Sequence, residues 1–404
     1  MNSVARRWSA SPALGPVELS VADLDRSSRH YRASLGMELI AREGPRAQFG
    51  VAGRTMLVLT EIPGAKPAPA SSPGLSHFAL DVPTRADLAR FARHHTDGDL
   101  RDHLVSESCY VLDPDGHRIE ITWGRPRDEW SWQNGLPLLA AGPLSLDDFT
   151  GDPFDGLAPA TTLGHVQLKV TDRDLAATEP FYCDLLGLDV TARVGDSFLG
   201  VGVSDFRTLL VFTSRFSVDG PEPAPPRSAG LIAVNLTVPD QDDLDALAQR
   251  LVAAGHPHTA TPGTLTVQDP SGNLLRFSAD SGPTVTAFLR SMDFLQDGAL
   301  DQWLALFDDD AVLEFPFAPP GAPSRVEGKA ALAGHVKARA ERMPSPKVEQ
   351  LHIHVTEDPS TIVAEMTIRG ATDRTRRAIA VVTVHNGLIT LYRDYWNPLD
   401  LAAR

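Results

Sequence analysis

The sequence predicts an α+β protein in which two copies of one unit precede a third, unrelated region. Three matched segments carry this prediction. Leu14-Gly15-Pro16-Val17-Glu18-Leu19-Ser20-Val21-Ala22-Asp23 returns as Leu163-Gly164-His165-Val166-Gln167-Leu168-Lys169-Val170-Thr171-Asp172. His77-Phe78-Ala79-Leu80-Asp81-Val82 is matched by Ala233-Val234-Asn235-Leu236-Thr237-Val238. Asp113-Pro114-Asp115-Gly116, running to Glu120, is matched by Asp269-Pro270-Ser271-Gly272, running to Arg276. The repeat stops after Ser281-Gly282-Pro283, so the units are read as 13–124 and 161–280, with a connector at 125–160 and a third region at 284–404.

Each copy reads as two modules in which short strands frame one helical stretch. From Val166 to Val170 apolar and polar residues alternate, the period of a half-buried strand. Val166, Leu168 and Val170 then pack one way, while His165, Gln167 and Lys169 point the other. The same parity sets His77 with Ala79 and Asp81, opposite Phe78, Leu80 and Val82, and brackets Glu120 between Ile119 and Ile121. The two Asp-Pro-x-Gly segments read as turns into the final strands. His117, just after one of them, is expected in solvent. The connector is rich in Gly, Pro and Leu and contains Trp130 and Trp132.

The third region opens with Val285, Phe288, Met292, Leu295, Ala299, Trp303 and Leu306 at helical spacing. A short strand at 311–315 and a Pro319-Pro320-Gly321 turn follow. Strand-like runs come at 350–356, 361–369 and 377–384, and His385-Asn386-Gly387 turns the chain into a last strand, 388–396. Helices first and a strand meander afterwards predict an α+β cone.

Composition narrows the function classes. The chain has 404 residues, enough for two or three cores, with ordinary hydrophobic (42%) and charged (22%) fractions. A formal net charge of -15 argues against nucleic acid or an anionic membrane as main partner. Cys109 and Cys183 are too few for a disulfide framework or a thiolate zinc site. With no apolar run of signal-peptide or membrane-span length, a cytoplasmic protein is expected. The partner expected is a small aromatic molecule, with a homodimer admitted.

The matched positions with metal-binding potential read Pro16, His77 and Glu120 in one copy and His165, Ala233 and Arg276 in the other. Neither copy holds a full set. Together they hold one set of two His and one carboxylate, His77, Glu120 and His165. Such a facial set with open positions suits Fe(II), and also Mn(II) or another divalent cation.

These segments resemble the vicinal-oxygen-chelate superfamily, which includes glyoxalases, bleomycin-resistance proteins and extradiol dioxygenases. Its dioxygenases carry a His, an aliphatic-Tyr pair, and an acidic-Pro-x-Gly turn leading to a ligand Glu. Here that reads His103, Cys109-Tyr110, Asp113-Pro114-Asp115-Gly116 and Glu120, and Gly74-Leu75-Ser76-His77-Phe78-Ala79-Leu80 resembles the strand bearing a ligand His. The resemblance implies βαβββ modules paired around a divalent metal. Pairing the second module with the third would unite His77, Glu120 and His165, and leave Pro16, Ala233 and Arg276 in a dead site. It further implies that His103 and Tyr110 orient and protonate substrate. Gln167 and Lys169 share the strand face of His165, which either lines the same cleft or meets solvent. Where those dioxygenases carry a further His, this chain reads Phe206-Arg207-Thr208-Leu209-Leu210.

Glu314-Phe315-Pro316-Phe317 and Tyr392-Arg393-Asp394-Tyr395-Trp396-Asn397-Pro398 resemble SnoaL-like polyketide cyclases. Such cones use a buried Asp or His in an apolar pit. Asp394 is the leading acid/base candidate, its rival role being a salt bridge to a neighbouring Arg, and His335 stands behind it. His352 and His354 share one strand face, on which pit and solvent have equal claims, and Tyr392 and Trp396 are candidate pit lining. The whole chain is read as an Fe(II)-dependent extradiol-type oxygenase of a catechol-like aromatic. Metal-assisted cyclisation, dehydration or isomerisation of a polyketide-like substrate is the first alternative, and a binding or resistance protein the second.

Overall fold

The computed structural model describes Trp8 and residues 11–146, 151–171, 175–203, 206–214, 223–261, 263–279, 282–340, 347–356, 358, 360–369 and 375–397. The chain divides into two compact units, Met1–Asp280 and Ser281–Arg404. Among the described residues no helix is long and apolar enough to cross a membrane.

The first unit contains four modules of similar build. Module one comprises β1 (Ala13–Val21), α1 (Leu24–Ala33), β2 (Glu38–Glu43), β3 (Arg46–Val51) and β4 (Arg54–Glu61). Module two comprises β5 (Gly74–Asp81), α2 (Arg85–His94), β6 (Asp99–Asp102), β7 (Ser106–Leu112) and β8 (Arg118–Gly124). In the connector β9 (Trp132–Gln133) and β10 (Leu136–Pro137) form a hairpin, and β11 (Gly142–Pro143) follows. Module three has β12 (Thr162–Lys169), a π-helical stretch Pro180–Leu185, β13 (Asp189–Val194), β14 (Phe198–Val203) and β15 (Arg207–Thr213). Module four has β16 (Gly230–Val238), α3 (Gln241–Ala253), β17 (His258–Thr261), β18 (Thr264–Gln268) and β19 (Leu274–Ala279).

Local chemistry accounts for the element ends. The Asp23 side chain caps α1 by accepting from Arg26 N at 2.8 Å, and Thr84 with Asp87 makes a reciprocal capping box on α2. The hairpin turns on Asn134 and Gly135, both at positive φ (52° and 79°), the conformation a two-residue turn demands.

The sheets do not follow the repeat. Modules two and three share a nine-stranded sheet, β11-β6-β7-β8-β5-β12-β15-β14-β13. Modules one and four share an eight-stranded sheet, β17-β18-β19-β16-β1-β4-β3-β2. In the first, β5 pairs antiparallel with β12, setting Phe78 opposite Val166 and His77 opposite Gln167, while β5 runs parallel to β8 with Ala79 opposite Glu120. The cross-copy pairing is therefore the observed one. Fully buried Phe49, Phe78, Phe91, Phe212 and Phe277 belong to one continuous core that serves both sheets.

Within each copy a hydrogen bond ties one sheet to the other. Tyr31 on α1 donates to Asp113 Oδ2 at 3.1 Å, and its repeat counterpart Tyr182 donates to Asp269 Oδ2 at 3.0 Å. The other oxygen of each Asp accepts two backbone N–H groups of its own turn. His117 is a correction to the expectation of a solvent position. It is buried, its Nδ1 2.9 Å from Asp113 Oδ2, because the turn folds back onto the Asp that organises it.

The second unit contains α4 (Gly282–Gln296), α5 (Leu300–Ala305), β20 (Phe307–Glu314), β21 (Arg325–Glu327), α6 (Lys329–Ala340), β22 (Lys347–Val355), β23 (Thr361–Arg369), β24 (Thr375–His385) and β25 (Leu388–Trp396). Its six-stranded sheet, β21-β20-β25-β24-β23-β22, packs with the helices around Phe288, Trp303, Phe307 and Leu332. The helix α6 was absent from the expected elements. Only Leu332 and Val336 of its twelve residues are buried, and the alanines around them leave little apolar contrast to read.

Candidate functional site

Three adjacent strands, β8, β5 and β12, bring Glu120, His77 and His165 together. His77 Nε2 is 3.0 Å from Glu120 Oε2, His165 Nε2 is 3.3 Å from the same oxygen, and the two Nε2 atoms are 3.1 Å apart. Three donors mutually cis about one divalent ion, with bonds of about 2.1 Å, stand about 3.0 Å apart. Glu120 Oε2 is buried and makes no hydrogen bond of good geometry despite its two close nitrogens. Lone pairs aimed at a shared point, rather than at one another, explain both facts. The residues present fit a divalent metal.

Burial alone would raise the Glu120 carboxyl, but the two imidazoles hold it well below the usual range. Burial pushes His77 down, with Glu120 opposing. For His165 burial acts downward too, yet Glu120 and Asp81 hold it above its ordinary value. Asp81 itself is pushed up to about 6 by burial.

Beside the triad, Tyr110 donates its hydroxyl to Glu120 Oε1 at 2.9 Å, and His103 Nε2 lies 2.9 Å from that hydroxyl. His103 Nδ1 is 3.0 Å from the Ala140 carbonyl, which can only accept, so Nδ1 carries a proton. Burial and then the Glu120 charge push the Tyr110 phenol far up, keeping it protonated.

All five side chains line one cavity of about 480 Å³. Gln167 also lines it and donates to Ser76 Oγ at 3.3 Å. Lys169 does not, which corrects its expected place. It lies past a bulge in the β5–β12 pairing, where its Nζ donates to the Ala70 carbonyl at 3.1 Å. Trp130, Leu139 and Ala140 of the connector line the cavity as well, and sequence reasoning did not place them there. The one signal was a pair of tryptophans in a Gly/Pro-rich stretch.

The matching place in the other sheet is filled. The Arg276 guanidinium binds Glu18 Oε1 and donates to Asn235 Oδ1 at 3.1 Å, and Asn235 Nδ2 donates to the Pro16 carbonyl at 2.6 Å. A guanidinium bound to a carboxylate occupies the position that Glu120 takes in the first sheet.

In the second unit, His335, Tyr392 and Asp394 line an apolar pit of about 240 Å³ together with Arg339 and Arg376. Burial raises the Asp394 carboxyl, with the two arginines partly offsetting it. Burial lowers His335, and Arg339 adds to that. Trp396 lines a smaller adjoining hollow of about 160 Å³ that shares His335 and Asp394. His352 and His354 are not pit residues, a further correction. Leu351 and Ile353 pack on the core, so strand alternation turns both histidines outward, where His354 Nε2 meets Glu365 at 3.0 Å.

The model of the Glyoxalase/Bleomycin resistance protein/Dioxygenase superfamily matches residues 13–121 and 162–277, and that of the SnoaL-like domain matches 286–392. The chain is 30% identical over 277 residues to a catechol-2,3-dioxygenase of Bacillus subtilis (strain 168), spanning 65% of this chain and 96% of that protein. It is 34% identical over 113 residues to the uncharacterized protein YesE of the same organism, 27% of this chain and 77% of that one. Glyoxalase I from Zea mays aligns in structure at 18% identity with a TM-score of 0.43, covering 67% of this chain and 93% of that chain.

Proposed function

The chain belongs to the glyoxalase/bleomycin resistance protein/dioxygenase superfamily, with a SnoaL-like domain after its glyoxalase modules, and from that premise we propose an Fe(II)-dependent extradiol-type oxygenase acting on a catechol-like aromatic. The observation that carries this reading is the convergence of His77, Glu120 and His165 within hydrogen-bond distance of one another on the wall of a large cavity. Its similarity to a catechol-2,3-dioxygenase supports it.

His77, Glu120 and His165 would hold the ion. When bound, iron would supply Lewis acidity toward adjacent substrate oxygens and electron transfer with dioxygen, and Mn(II) could stand in its place. Tyr110 holds a proton at its hydroxyl beside Glu120, within reach of a substrate seated at the triad. His103, fixed by the Ala140 carbonyl, presents Nε2 to that hydroxyl and positions it. Gln167 lies on the same cavity wall, where it would flank a bound substrate.

The test is oxygen consumption by anaerobically prepared, Fe(II)-loaded protein given catechol. Uptake matching catechol loss over many turnovers supports the proposal. Catechol left intact with oxygen unconsumed refutes it.

A second reading has its own observation. Asp394, its carboxyl raised by burial in an apolar pit beside His335, suits proton transfer during cyclisation, dehydration or isomerisation of a polyketide-like substrate. Conversion of such a substrate without oxygen, abolished by Asp394→Asn, would favour it.

A further inference from the structure

The cavity at the triad is larger than one aromatic ring requires, and the excess is apolar. Its volume of about 480 Å³ is roughly three times the ~150 Å³ apolar cavity that accepts a benzene. Its lining changes character along the sheet. The triad and Tyr110 lie on β12, β5, β8 and β7, whereas the opposite flank contributes Val194 from β13 and Phe198 from β14. β14 lies two strands beyond β12, about 10 Å at ordinary strand spacing. A single diol ring seated at the triad leaves that flank uncovered.

The connector closes over this flank. β10 contacts β13, and Trp130 and Leu139 line the cavity. Trp132 meets Phe206 edge to face with ring centroids 4.9 Å apart, and Trp130 lies 5.8 Å from Trp132. The Arg127 guanidinium sits over both Trp130 (5.7 Å) and Phe206 (6.0 Å). Phe206 itself is held at φ +55° in the turn entering β15, a left-handed conformation that a bulky side chain adopts rarely.

We infer that Trp130, Phe198 and Phe206 form an aromatic end-wall that selects a diol bearing a second ring, with the connector hairpin as the element that sets this selectivity. The inference rests on the diol-chelating reading of the triad. Flat aromatic walls favour a planar ring, which they meet by stacking or edge-to-face contact, over a flexible chain.

The test is anaerobic calorimetry of Fe(II)-loaded protein with catechol and with naphthalene-2,3-diol, which carries its second ring directly opposite the hydroxyls. Wild type is expected to bind the two-ring diol at least about tenfold more tightly. Trp130→Ala should remove most of that preference by weakening the two-ring diol far more than catechol, with iron content unchanged. Phe206→Leu, which keeps an apolar side chain, should narrow the preference in the same direction and serves if Trp130→Ala does not fold. Equal affinities in wild type, binding of neither diol, or a parallel loss for both diols in the variants would overturn the inference. Oxygen uptake measured alongside separates the two claims. Selectivity without uptake sinks the oxygenase reading and leaves the end-wall standing, while equal binding with uptake does the reverse.

Discussion

Glu120 Oε2 and His165 Nε2 stand 3.3 Å apart although one closes the first copy of the repeat and the other opens the second. The sheet order β8-β5-β12 makes them neighbours, so a site that neither copy could build alone is assembled from both. The remaining positions, Pro16, Ala233 and Arg276, fall together in the other sheet, where a guanidinium–carboxylate contact has taken over.

Gly164 tests how tightly His165 is held. A Cβ there would come within 2.0 Å of Asp81 Oδ1, so Gly164→Ala must displace either that carboxyl or the strand carrying His165. Overpacking of this kind costs about 1–3 kcal/mol. Lower stability in denaturant titration and metal affinity weakened by about tenfold or more are expected. An alanine variant neutral on both counts would show that the contact is not as described.

Asp81 gives the fold a pH dependence. Burial raises its carboxyl from 3.8 to about 6, so folding favours the protonated form. Its contribution is full below about pH 4 and is lost as pH rises through about 6. In metal-free protein, Asp81→Asn should add up to about 3 kcal/mol at pH 7.5 and almost nothing near pH 4. Thermal melts at the two pH values measure this, and a gain of equal size at both would contradict it.

Glu18 anchors the filled site. Glu18→Ala leaves Arg276 and Asn235 without their shared acceptor, at a cost of about 1–3 kcal/mol. Metal content should not change. A variant that lost metal would mean that the two sheets are not independent in this respect.

Much of this was legible because strand alternation and the repeat report on the same residues. His77, Glu120 and His165 each sit at a matched position on a polar strand face, and the spacing of His103, Tyr110 and Glu120 survives as one hydrogen-bonded chain. Alternation divides a strand into two faces without saying which one meets a cavity. For His352 and His354 it leaves pit and solvent equally open, and both face outward. Lys169 shares the parity of His165, but a bulge and a nearby carbonyl take it out of the cleft. Trp130 and Ala140 lie in a connector with no period at all, and only the tertiary structure brings them to the cleft.

Metal content of anaerobically purified protein, wild type and His165→Ala, measured by inductively coupled plasma mass spectrometry, tests the cross-copy site most directly. About one divalent ion per chain is expected in wild type, iron foremost, and none in the variant. Protein without metal, or an ion retained after His165→Ala, would contradict it.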